Sequence, residues 1–329
     1  MTDAPLFGLL PRRQINDSSI DHEDNVLPSR KHADYLIDIY WRHIQPLEPF
    51  LDREHFFHSY QALFAGSLFN EDERIFVSTL NTVFAISTQL QGHLPREKRE
   101  EASNTYFNRA WTFLRPESII WEPGSLELVQ FLLLMGRYLQ CTNNPHQTWM
   151  AVGSAVRIAQ SLGLHVPEAS SSSPHARDSR LRRHLWKCCV FMDRFASNLA
   201  FRVGMLLIMT FRVISWASGR TSMVSLTAID SLHNHSPQGQ SANYFTKMLE
   251  LYEITNHVML SQMSSHNSVA ARLGLPHLYQ DEEYFSTAVK LEAAINKWDK
   301  SLPRSLRLDS FQGDVGDDLF KQRVILRLR

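Results

Sequence analysis

From Pro28 onward the apolar residues recur three and four positions apart, and no segment alternates apolar and polar residues with the period of a strand. A chain patterned this way buries its apolar surface as helix stripes laid against other helices. It is predicted to be all-α, an irregular multi-helix bundle with no sheet. Ala33, Leu36, Ile37, Tyr40, Trp41 and Ile44 share one face of the first helix. That helix must end near Gln45-Pro46, because the residue before a proline is pushed out of the α region. In FLDREHFF, Asp52 is placed to cap the next helix, with Leu51 and Phe56 at the flanking staple positions. Further helices are predicted over 71–90, 96–114, 125–140, 147–162, 178–198, 241–263 and 281–300.

Breaks fall at Pro95, Pro116, Pro123-Gly124, Asn143-Asn144-Pro145, the serine run Ser170–Ser173 with Pro174, and Ser236-Pro237-Gln238-Gly239. The serine run reads as a flexible connector rather than a phosphorylated switch. No repeat of roughly 20 to 50 residues is found, which argues against a solenoid. Residues 1–27 are polar and lack the period, so they read as a disordered leader ahead of one helical domain over 28–329.

Lys plus Arg and Asp plus Glu number 34 each, leaving no cationic excess to hold a polyphosphate backbone. Cys141, Cys188 and Cys189 are too few for a disulfide framework, and the adjacent pair sits in an apolar pattern as reduced core thiols do. No signal peptide is evident. The uncharged run Val203 to Phe211 is nine residues long, whereas a membrane helix needs about 20. The expectation is therefore no membrane span.

Two segments carry most of the information. In WMAVGSAVRIAQSLGLH, residues 149–165, the buried stripe is Val152, Ala155, Val156, Ala159 and Leu162. Gly153 lies on its flank, where a side chain would block close approach of another helix. Gly163 is placed as the left-handed residue that ends the helix, with Leu164 folding back on Ile158 and Ala159. In DSRLRRHLWKCCVFMDRFAS, residues 178–197, the stripe is Leu181, Leu185, Cys188, Met192 and Phe195, and Asp178 stands in the favourable order before Arg182. Asp193 falls at the stripe's edge and needs a cationic partner if buried. Arg157 is the expected one.

Together, W-x3-G-x3-R-x-A-x3-LGLH, a variable loop, then RRHLW, MDR and GRTSMVS resemble the fungal-specific transcription factor domain. This is the middle regulatory region of zinc-cluster transcription factors, xylanolytic-activator-like. The opening PSRKHADYLIDIYWRHIQPLEPFLDREHFFHSY and the segment from Trp298 through SLPRSL are similar to the same family, so the resemblance spans about 28–329. It implies scaffold roles for Trp149, Gly153, Arg157, Ala159, Leu162, Gly163, Leu164, His165, Arg182, Arg183, Trp186, Asp193, Arg194, Gly219 and Arg220. Thr221 stands where the family usually has proline. The family's DNA-reading module needs six cysteines around two zincs, and this chain has three cysteines. Zinc would enter only with an N-terminal module missing from the chain.

In the family the MDR helix is followed closely by the Gly-Arg element; here 24 residues separate Arg194 from Gly219. Residues 199–218 are thus an atypical apolar insertion. One explanation is an extra buried helix with Met205, Ile208 and Met209 inward and Arg202 and Arg212 outward. The other, favoured here, is a translated intron over 204–218, since Gly204-Met205-Leu206 and Ser218-Gly219 are compatible with donor and acceptor sequences. The ending RVILRLR, a helix barely begun, suggests a truncated gene model.

His55 and His58 share a helix face without a companion ligand cluster, and His233 and His235 lie in a loop, so none is read as a metal ligand. There is no G-x-S-x-G, Walker loop or G-x-G-x-x-G. Cys188 lies in the stripe, too buried for a nucleophile. No catalytic, cofactor or metal residues are assigned. The resemblance implies a non-catalytic regulatory domain controlling RNA polymerase II transcription in the nucleus. Its expected contacts are a small-molecule effector, the transcription machinery or a homodimer partner, and DNA only through the missing module. The alternative is a helical enzyme or ligand-binding protein of secondary metabolism.

Overall fold

The computed structural model describes residues 27–66, 72–115, 119, 121, 123–166, 176–210, 240–264, 281–307 and 317–328. Side chains are described for all of these except 176–178, 197–210, 240–243, 259–264, 281–285, 287, 317, 318 and 328. The described residues form helices and loops with no strand among them.

The helices are α1 (Arg30–His43), α2 (Arg53–Ala65), α3 (Glu73–Gln89), α4 (Arg96–Phe113), α5 (Leu126–Cys141), α6 (Pro145–Ser161), α7 (Ala176–Thr210), α8 (Gln240–Ser264), α9 (Asp281–Lys300) and α10 (Asp317–Leu328). A short 3-10 turn covers Arg304–Leu306. Their starts follow local chemistry. Asp52 accepts from the His55 amide at 2.9 Å, Asp72 from the Arg74 amide at 3.0 Å, and Ser125 from the Leu128 amide at 3.1 Å. Each bond satisfies an amide that has no partner within its own helix.

Two helices form the centre. In α3 every residue from Ile75 to Thr88 is buried, and in α5 nearly all from Leu128 to Leu139 are. α3 packs against α1, α4 and α5; α5 packs against α6 and α7. Three of the buried polar residues of α3 bond to their own helix: Asn81 Nδ2 donates to the Val77 carbonyl, Thr82 Oγ1 to Ser78 and Thr88 Oγ1 to Phe84, at 2.8–2.9 Å. The close approach between α5 and α6 occurs at Gly136, where an added Cβ would sit 2.9 Å from Val152 Cγ2.

Outside this centre, α8 packs on α7 and α9 on α8. The Trp298 indole donates to the Lys247 carbonyl at 2.9 Å, and Lys247 Nζ reaches Ser301 Oγ at 3.0 Å. The Trp298-to-Leu302 stretch is thereby fastened to α8. α10 returns to the beginning of the fold: Lys321 Nζ lies 3.1 Å from His43 Nδ1, and Gln322 Nε2 donates to the Pro46 carbonyl at 3.3 Å.

Against the expectations, the helix predicted over 178–198 is longer and runs through Thr210 without interruption. The first half of the apolar insertion is therefore a continuation of α7 and not a separate helix. Residues 1–26 and 211–239, which include most of the leader, the rest of the insertion, Gly219, Arg220, His233 and His235, lie outside the described residues. Among the described residues no helix is long and apolar enough to cross a membrane.

Candidate functional site

The motif residues of α6 and α7 meet at the end of α6. Gly163 adopts φ 72°, a conformation that costs other residues about 1–2 kcal/mol. The Leu164 amide then donates to the Ala159 carbonyl at 3.0 Å and the Gly163 amide to Gln160 at 2.9 Å, the paired bonds of a Schellman stop. Arg182 crosses from α7 and gives a guanidinium bond of 2.6 Å to the Leu162 carbonyl, supplying a donor to a helix end that lacks one. His165 is exposed and its ring lies 5.8 Å from that of the buried Trp186. Trp149 packs on the core, and Gly153 and Ala159 are buried in α6.

The expected ion pair between Arg157 and Asp193 does not form. Arg157 points to solvent, whereas Asp193 is 1 % exposed. The cation next to it in sequence finds an anion elsewhere: Arg194, 3 % exposed, pairs through Nε with Glu253 of α8 at 3.3 Å. Burial, and secondarily Asp193, push the Cys189 thiol far above its ordinary range, and burial does the same to Cys188. Both stay protonated and inert. Arg183 helps burial lower the ammonium pKa of Lys187.

Sequence patterning did not reveal a second assembly, centred on the turn from Pro46 to Leu51 between α1 and α2. Its backbone carbonyls are taken by side chains, two of them from distant elements. Pro49 O lies 2.6 Å from His184 Nε2, Phe50 O accepts from Gln130 Nε2 at 3.0 Å, and Leu51 O accepts from Gln45 Nε2 at 2.7 Å. Since a carbonyl only accepts, His184 Nε2 carries the hydrogen. Within the same turn Glu48 pairs with Arg137 of α5 at 2.9 Å, both nearly excluded from water. Burial opposes the charge on Arg137, but Glu48 wins and raises its pKa above the usual value. Burial and Glu48 together raise the Tyr40 hydroxyl well above its ordinary range, and that hydroxyl donates to Gln45 Oε1 at 3.1 Å. His184 is shifted the other way, its pKa lowered chiefly by burial. The chemistry is that of a rigid polar hub, with no group poised as acid, base or nucleophile.

Beside the hub a cleft of about 290 Å³ opens where α2, α3 and α5 begin. Leu51, Phe56, Ile75 and Phe76 form its apolar floor; Asp52, His55, Asp72, Thr79, Pro123, Ser125, Glu127 and Gln130 complete the walls. Burial would raise the Asp72 carboxyl, but the Arg74 guanidinium, 2.8 Å away, holds it below the usual carboxylate range. His55 lines this cleft and its sequence companion His58 is exposed.

The model of the fungal specific transcription factor domain matches residues 37–202, the stretch that contains both the motif junction and the hub. The sorbicillinoid biosynthetic cluster transcription factor sor3 of Hypocrea jecorina is 42% identical over 313 residues, covering 94% of this chain and 40% of that protein. Sorbicillinoid biosynthetic cluster transcription factor 2 of Penicillium rubens is 40% identical over 335 residues, covering 100% of this chain and 46% of its own length. The lactose regulatory protein LAC9 of Kluyveromyces lactis is 29% identical over 170 residues, about half of this chain and 18% of that protein. The chain thus spans less than half the length of these relatives. No solved structure matches it. A family model that follows the chain through the turn, both central helices and the motif junction identifies this protein as a member of the fungal specific transcription factor domain family, which regulates transcription and is not enzymatic.

Proposed function

We propose that the chain is the regulatory, non-catalytic part of a nuclear regulator of RNA polymerase II transcription that governs a set of biosynthetic genes. The observation that carries this reading is the match of residues 37–202 to the family, joined to two relatives named as biosynthetic cluster transcription factors at 40% identity or above. Contact with DNA is assigned to a zinc-cluster module outside these residues, because Cys188 and Cys189 are committed to the core. The chain's own task is to hold or release the activity of that module through the transcription machinery, a second copy or a small effector. The scaffold roles of Trp149, Gly153, Arg157, Ala159, Gly163, His165, Arg182, Arg183, Trp186, Asp193 and Arg194 belong to the same reading, as does the treatment of 204–218 as removable sequence. Deleting the gene should lower or raise transcripts of its neighbouring biosynthetic genes, and restoring it should reverse the change. Neighbouring transcripts that do not respond to the deletion would overturn the proposal.

A further inference from the structure

The cleft at the starts of α2, α3 and α5 is lined by two nearly buried side chains, Thr79 and Gln130, with hydrogen-bonding capacity to spare. Thr79 is 5 % exposed and lines the cleft. Its helix neighbours Thr82 and Thr88 bond back to carbonyls four residues earlier; the Thr79 hydroxyl makes no hydrogen bond to any described residue. Gln130, 6 % exposed, spends its Nε2 on the Phe50 carbonyl. That bond fixes the amide's orientation, so the Oε1 left over is an acceptor. Both oxygens can meet a molecule that enters the cleft.

The walls narrow the ligand's chemistry. Three helix N-termini meeting at one cleft would ordinarily favour an anion. Here each is already capped, by Asp52, Asp72 and Ser125, and Glu127 adds a further carboxylate. Carboxylates therefore crowd the walls. A ligand that fits must carry donors of its own and no negative charge, and must present an apolar body to Phe56, Ile75 and Phe76.

We infer that this cleft is a binding site for a small, non-anionic molecule with an apolar ring and an ammonium or similar donor group, which meets Thr79 and Gln130. This deepens the effector reading above and is tested separately from it, since binding is read on the purified chain without any transcriptional output. The probes are tryptamine and indole-3-propionate, alike in body and opposite in charge, titrated into the full-length chain by ligand-observed NMR and calorimetry. The expected result is saturable tryptamine binding at a Kd of roughly 1 mM or below, with indole-3-propionate at least about tenfold weaker. Thr79→Val, which removes a hydroxyl that bonds to no described residue, should retain the melting temperature and weaken tryptamine about tenfold. Asp52→Asn, which can still cap α2, should narrow the gap between the two probes. Absence of saturable tryptamine binding, equal affinity for both probes, or unchanged tryptamine affinity in a folded Thr79→Val protein would each overturn the assignment.

Discussion

Glu48 and Arg137 are each withdrawn from water and each balanced by the other, so removing one leaves a buried charge without compensation. Glu48→Gln or Arg137→Met alone should lower unfolding free energy by about 3–5 kcal/mol in urea titrations, and the double replacement should recover much of that loss. His184 behaves oppositely with pH. Its folded-state pKa is lowered, so below about 6.5 the unfolded chain takes up a proton that the fold refuses. Stability should fall as pH drops through and below that value, and His184→Gln, which keeps a donor for Pro49, should flatten part of the slope in urea midpoints measured across pH. At Gly136 a single added methyl meets Val152 at 2.9 Å. Gly136→Ala should destabilise by about 1–3 kcal/mol, visible as a lower melting temperature. The sequence pointed to Gly153 because it stands beside a clear stripe. Gly136 follows an unbroken apolar run in LLLMGRYLQC, where no clear stripe marks the side that must be small.

At the level of single elements, what was legible was local. The caps at Asp52 and the stop at Gly163 rest on residues within six positions of each other, and both form as their sequences imply. Gly163→Ala should cost about 1–2 kcal/mol by thermal or urea unfolding, because alanine must enter the left-handed region. The Arg182 bond to Leu162 and the Arg194 pair with Glu253 were not legible, because each depends on the angle at which two helices cross. Helical period names the buried face of α7 but not the partner of a charge at its edge. The length of α7 was not legible either: the helix predicted over 178–198 continues through Thr210, in a stretch, Phe201 to Thr210, that is apolar nearly throughout.

Across the whole molecule the described helices form a tightly packed centre, α3 with α5, and a later layer, α8 with α9, held to it through α7. The buried cation Arg194 reaches across this boundary to Glu253. Replacing Glu253 with Gln should therefore speed amide exchange in α8 and α9 while α3 and α5 remain protected, a difference that hydrogen-exchange mass spectrometry resolves. The all-helical class was readable from spacing alone, since every helix contributes its own period. The hub was not: its bonds from Gln130 and His184 join residues 80 and 135 positions apart, and no local pattern records such distances.

Those separations have a consequence for synthesis. The turn from Pro46 to Leu51 leaves the ribosome early, but Gln130, His184 and finally Gln322 must follow before its carbonyls are all engaged. At about 5–20 residues per second, the last of these arrives at least roughly ten seconds after the turn itself. During that interval water stands in for the missing side chains at these carbonyls, and the bend is a point at which assembly is completed late.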